Sequence, residues 1–257
     1  MTPENRPNVL TIAGFDPSSG AGLTADIKTF ESLGVYGLGV CTANTVQNDI
    51  EFHACHWISV DIIVDQIHII LERFKIGVIK IGIIENWKIL NKILDILLVN
   101  NSKLKIILDP VISSSTKFTF HEVSDIELDK VLEKIFLLTP NFNEIQKIYP
   151  NKGISETVQY IRKKTHLLLK GGHRKDFVGQ DELFMKNGRH LVFKANTTAC
   201  MPKHGSGCVL SSSIVSYLAL GNTIEEACDK AKQYTEKFLN SNKELLGYHY
   251  QTYNIND

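Results

Sequence analysis

The chain has 257 residues, 43% hydrophobic and 22% charged, and its Lys+Arg and Asp+Glu counts are equal at 28. That balance fits one large α/β domain, spanning 1–257, with a sizeable core. Zero formal charge argues against a nucleic-acid partner, because such binding leans on clustered cations. Five cysteines, at 41, 55, 200, 208 and 228, are odd in number and show no CxxC spacing, which disfavours both a disulfide framework and a zinc site. Reduced thiols and the lack of a signal peptide point to the cytoplasm. No apolar run reaches membrane-spanning length, so no membrane partner is expected.

Asn8 to Gly14 is an apolar run closing on glycine, which suits a strand buried on both faces. The loop Phe15-Asp-Pro-Ser-Ser-Gly-Ala-Gly22 feeds a helix over 23–33, with Leu23, Ile27, Phe30 and Leu33 on one face. A second strand over 35–44 carries Thr45-Val-Gln-Asn-Asp49 at its end. A helix follows over 59–74, then a strand over 76–84 and a helix over 86–99. Lys105 to Val111 is a strand closing on Asp109. Ser124 with Glu127 fits a capping box before a helix reaching about 134. Phe136 to Asn141 is another strand, followed by a short helix holding Glu144, and His166 to His173 is a further strand with a glycine-marked end. Residues 181–186 and 190–195 flank Asn187-Gly188, a strong hairpin signal. The segment after Gly205 is helical as far as Gly221, and Thr223 with Glu226 caps a last helix running to about Leu246. Strands alternate with helices and no linker divides them, so a mainly parallel central sheet with helices on both faces and a small β-hairpin is expected.

In open α/β folds ligands gather at the carboxyl ends of strands, and there the polar residues and glycines of this chain cluster. Gly205-Ser206-Gly207-Cys208 opens a helix. Its unpaired N–H groups and dipole suit an anion such as phosphate. The same dipole is expected to lower the Cys208 thiol pKa. Asp109 and Glu144 are carboxylates after successive strands, as a Mg²⁺ site would require. Each also has a plain reading: Asp109 as a turn residue before Pro110, Glu144 as a capping partner of Asn141. Lys170, beside two glycines, suits a phosphate contact or is simply solvated. Asp26 reads as a solvated or dipole-complementing helix residue, and His204 as structural. No GxxxxGK[ST] or G-x-G-x-x-G run is present.

Taken together, Thr11-Ile-Ala-Gly-Phe-Asp-Pro-Ser-Ser-Gly-Ala-Gly-Leu-Thr-Ala-Asp-Ile-Lys-Thr-Phe30, Gln47-Asn48, Asp109-Pro-Val111, Leu138-Thr-Pro-Asn-Phe-Asn-Glu144, Leu169-Lys-Gly-Gly-His173 and His204-Gly-Ser-Gly-Cys208 resemble the hydroxymethylpyrimidine/phosphomethylpyrimidine kinases. These form the thiamine-biosynthesis branch of the ribokinase-like superfamily. The resemblance implies two ATP-dependent phosphorylations, first of 4-amino-5-hydroxymethyl-2-methylpyrimidine and then of its monophosphate. It implies that Asp26 and Gln47 bind the pyrimidine edge and that Gly14, Ala21 and Val111 shape the pocket. Asp109 and Glu144 would hold Mg²⁺, Lys170 would meet the ATP phosphates, residues 205–208 would form an anion hole, and Cys208 would assist deprotonation. A homodimer is implied; a K⁺ requirement stays open. Phe15, Ser19, Thr24 and Ser206 depart from the usual residues of the family, as do the glycine-free loop 112–120 and the segment 198–203. Two other readings remain: a pyridoxal/pyridoxine kinase of the same superfamily, and a non-catalytic pyrimidine-binding regulator.

Overall fold

A computed structural model describes residues 6–111, 125–172, 174, 176–196 and 200–252. The chain runs β1 (Asn8–Phe15), α1 (Gly22–Ser32), β2 (Tyr36–Gln47), β3 (Phe52–Trp57), α2 (Val60–Arg73), β4 (Ile76–Ile81), α3 (Trp87–Asn100), β5 (Lys105–Leu108), α4 (Asp125–Lys134), β6 (Leu137–Leu138), α5 (Phe142–Ile148), α6 (Ile154–Arg162), β7 (His166–Leu169), β8 (Asp181–Phe184), β9 (His190–Phe193), α7 (Ser206–Ala219) and α8 (Ile224–Leu239). These build a nine-stranded sheet in the order β3-β2-β1-β4-β5-β6-β7-β8-β9. From β2 across to β7 every pairing is parallel, while β3 at one edge and β8 and β9 at the other are antiparallel. The strand order reverses at β1, which opens a crevice between β1 and β4 at their carboxyl ends.

The pleat decides which side chain meets which helix layer. Leu10, Ile12, Ile79, Ile81, Ile106 and Leu108 pack with α2 through α6. The residues between them, Val9, Val78 and Ile107, pack with α1, α7 and α8 on the other face. Continuing that second register along the strands brings Thr11, Lys80, Asp109, Thr139 and Lys170 to the α1/α7 face. The polar residues of one strand end after another therefore converge beneath α7.

Two elements, β3 and α6, are additions to those expected from sequence. The β3 strand lies at an edge and buries none of its residues fully, so it lacks the apolar run that marks the central strands. The last helix ends at Leu239 rather than near Leu246. Beyond it the chain folds back, bringing Gly247 against the Phe238 ring and Tyr250 onto Tyr234 at 4.8 Å between centroids. Thr252 N–H donates to Ser32 O at 3.0 Å. Both hairpin strands and the Thr223–Glu226 capping box form as expected. Ser124, with the capping box expected of it, and the loop 112–120 lie outside the described residues; Glu127 receives Lys130 Nζ at 2.7 Å and Asn91 Nδ2 at 3.0 Å.

Candidate active site

A cavity of about 700 Å³ lies over the carboxyl ends of the central strands. Gly14, Ala21, Gln47, Asp109, Val111, Glu144 and Lys170 line it, together with the whole run Gly205-Ser206-Gly207-Cys208. Among the expected site residues, Asp26 alone does not reach it.

The turn before α7 is shaped by close packing. Gly205 adopts φ +74°, in the left-handed region, and a Cβ there would meet Gly20 O at 1.9 Å. Only glycine permits both the dihedral and the approach. The turn is also tied to its neighbours. His204 N–H donates to Leu245 O at 2.9 Å, and the His204 ring meets Asp16 Oδ2 at 2.8 Å. Asp16 in turn accepts the Ala21 N–H at 2.9 Å. Burial opposes the Asp16 charge, but His204, Ser18 and the Ala21 amide outweigh it and hold its carboxyl below the ordinary value. Lys203 is buried with its ammonium on the carbonyl oxygens of Asn242 and Glu244. His204 is thus structural, as its sequence context suggests.

Facing this turn stands a buried ionic cluster. Lys170 Nζ donates to Asp109 Oδ1 at 2.7 Å and lies 3.9 Å from Glu144 Oε2. Ser211 Oγ, on α7, reaches Asp109 Oδ2 at 3.2 Å. Burial opposes ionisation of Asp109, yet the ammoniums of Lys170 and Lys80 hold its carboxyl below the usual carboxylate value. Glu144 is the opposite case: burial, with the Asp109 charge beside it, pushes it up to about 7 despite Lys170. Glu144 also completes a capping box, its Oε2 accepting Asn141 N–H at 2.7 Å. The plain reading of Glu144 and its place on the cavity wall therefore hold together.

Two expectations need correction. Asp26 is neither solvated nor exposed to a ligand: it is 0% exposed. Lys80 Nζ donates to both its oxygens at 2.7 Å, and Thr11 and Ser212 each add a bond at 2.6 Å. With its lone pairs taken, it has no free edge to offer a pyrimidine. Cys208, expected to be a low-pKa thiol, is instead pushed up to about 11, because burial outweighs the help of Lys80 and the Gly22 amide. Lys80 is the residue missed from sequence. A lone charge in an apolar strand buried on both faces must find a partner, and that rule singles out Lys80 within Ile76–Ile84.

Among the described residues, no group of three or more His, Cys, Asp or Glu side chains is placed to hold a metal. Mg²⁺ makes a smaller demand, taking one or two carboxylates with waters and substrate phosphates. Asp109 and Glu144 fit that donor set, and the raised Glu144 pKa marks a place where added positive charge is favourable.

Comparison with known proteins agrees with this geometry. The chain is 33% identical over 246 residues to the bifunctional thiamine biosynthesis protein ThiDN of Methanocaldococcus jannaschii, covering 93% of this chain and 55% of that protein. The chain thus spans about half the length of that fused relative. It is 33% identical to the hydroxymethylpyrimidine/phosphomethylpyrimidine kinase of Aquifex aeolicus, covering 93% of this chain and 97% of that one. The crystal structure of a phosphomethylpyrimidine kinase from Clostridium difficile superposes with a TM-score of 0.75 at 32% identity, over 90% of this chain and 99% of that one. A Staphylococcus aureus pyridoxal kinase bound to AMP-PCP and pyridoxal shares the fold, with a TM-score of 0.80 at 22% identity over 95% and 92% of the two chains. The family described as phosphomethylpyrimidine kinase matches residues 16–253, and this chain belongs to it.

Proposed function

We propose that this chain transfers the γ-phosphoryl group of ATP to the hydroxymethyl oxygen of 4-amino-5-hydroxymethyl-2-methylpyrimidine, and then phosphorylates the monophosphate to the diphosphate. The observation that carries this reading is the placing of the Gly205–Cys208 helix start opposite Lys170, Asp109 and Glu144 across one cavity. Phosphoryl transfer asks for in-line positioning and charge neutralisation rather than covalent chemistry. The backbone N–H groups at the start of α7 supply donors to the transferred group, and Lys170 supplies a fixed cation. Mg²⁺, held by Asp109 and Glu144, would neutralise phosphate charge when bound. Gln47, on the β2 end of the cavity, is the polar side chain offered to the pyrimidine edge, with Gly14, Ala21 and Val111 shaping the walls. The oxygen–phosphorus bond forms as the bond from γ-phosphorus to the ADP oxygen breaks, and the hydroxyl proton passes to the Cys208 sulfur. With a thiol near 11, that transfer draws on a small thiolate population and comes late in a loose transition state.

Product analysis with ATP and the hydroxymethylpyrimidine tests the reading: mono- and diphosphate should both appear. A strong preference for pyridoxine in a parallel reaction would move the chain to the pyridoxal kinases. Absence of ADP formation would make it a binding protein. A homodimer is part of the same reading, tested by light scattering.

A further inference from the structure

Lys80 is fully buried in the centre of the sheet, and stability alone is a poor reason for it. A buried ion pair is commonly matched or bettered by apolar residues of similar volume. Its surroundings suggest another reason. Two of the three ammonium donors go to Asp26, and among the described residues the third has no hydrogen-bond partner. Lys80 lines the floor of the active-site cavity. Asp26 Oδ1, which takes Lys80, also takes Ser212 Oγ at 2.6 Å. Ser212 follows Cys208 by four residues, so the two share one side of α7. The ammonium is therefore held on the side of α7 from which Cys208 enters the cavity.

We propose that Lys80, fixed by Asp26, is a positioning residue that holds positive charge beneath Cys208 and supports its sulfur as an anion while the hydroxyl proton is taken up. This rests on the kinase reading above, in which Cys208 is the proton acceptor. Asp26 then acts on the reaction only through Lys80. The groups bearing on Cys208 are Lys80 from β4, Asp26 from α1, Asp109 from the end of β5, Lys170 from the end of β7 and the Gly22 amide. Of the side chains, Lys80 favours the thiolate most, with Lys170 adding to it; both carboxylates and burial oppose it. Without Lys80 the thiolate would lose its principal support.

The test needs neither ATP nor pyrimidine. The free protein is treated with iodoacetamide at pH 8.5, and each cysteine is followed by peptide mass spectrometry. In Lys80→Met, Cys208 should alkylate about tenfold or more slowly than in wild type, the change expected for one pKa unit. Cys41, on β2 and not lining the cavity, should be unchanged. Unfolding cannot imitate this result, because it would speed Cys208 and expose the buried Cys228. Alkylation of Cys208 at the wild-type rate, with Cys228 still protected, would overturn the proposal. If Lys80→Met does not fold, the charge-balanced double variant Lys80→Met/Asp26→Asn is assayed for turnover. There kcat should fall by about 100-fold with the pyrimidine KM within about threefold of wild type, and an unchanged kcat would overturn the proposal. Absence of ADP formation in the product analysis would refute the kinase reading and leave the alkylation result standing. An active kinase whose Cys208 ignores Lys80 would refute only the present inference.

Discussion

Replacing Gly205 by alanine isolates the contribution of the turn before α7. The native φ of +74° is one that alanine adopts at a cost of roughly 1 kcal/mol. The larger effect is steric. The new Cβ would lie 1.9 Å from Gly20 O, whereas real Cβ atoms do not come within 3.0 Å of such a neighbour, so the two backbones must part by more than 1 Å. Neither side yields easily: Gly20 belongs to the loop fixed by Asp16 and Ala21, and the turn itself is held through His204 and Lys203. A displacement of about 1 Å at a positioning group costs on the order of 100-fold in rate. Gly205→Ala should therefore lower kcat about 100-fold in a coupled ADP-release assay, with the pyrimidine KM within a few-fold of wild type. A kcat within threefold of wild type would show that the turn is not the phosphoryl-binding element. Loss of secondary structure by circular dichroism would shift the effect from positioning to folding.

Cys208→Ala should reduce kcat by about 10²–10³-fold with little change in pyrimidine affinity by calorimetry, and wild-type turnover would remove the proton-acceptor role. Lys170→Met leaves Asp109 and Glu144 facing each other without their shared cation; it should lower kcat and weaken ATP binding, and unchanged ATP affinity would exclude the phosphate contact. Chelation with EDTA should abolish turnover and added Mg²⁺ restore it, whereas activity that survives EDTA would remove Asp109 and Glu144 as a metal pair. Because the folded Asp16 carboxyl is held below its ordinary pKa, its contribution is complete above about pH 4 and fades as pH falls through the folded value. Wild type should therefore exceed Asp16→Asn in stability to urea at pH 6, with the gap narrowing below about pH 4; a gap independent of pH would contradict this linkage.

The strands β1, β4, β5 and β7 were legible because each is an apolar run buried on both faces, and the helices because their caps and periodicity agree, as at Thr223 and Glu226. The gathering of Asp109, Glu144, Lys170 and residues 205–208 followed from one topological rule about strand ends. What the local pattern could not show was depth. Asp26 has the spacing of a surface helix residue, yet it is enclosed by β1, β4 and α7, and only the three-dimensional assembly supplies Lys80 as its partner. The same enclosure reverses the expected effect of the helix dipole on Cys208, since desolvation of a charge outweighs a partial charge at one helix end. The edge strand β3 escaped for lack of a buried face, and the segment after Leu239 because its pairing partners lie far away in sequence.

That segment has a consequence for the order in which this protein is made. The Gly205–Cys208 turn is held by backbone carbonyls of Asn242, Glu244 and Leu245, while Asp16 on the other side is held across 188 positions of sequence by His204. A ribosome that has finished every strand described above has still not produced the groups that fix this turn. During translation the nascent chain can thus gain most of its core before this turn is anchored. A chain stopped after Leu239 would carry every helix and strand described above and still lack the anchors of that turn, which come from a short stretch that follows the last of them.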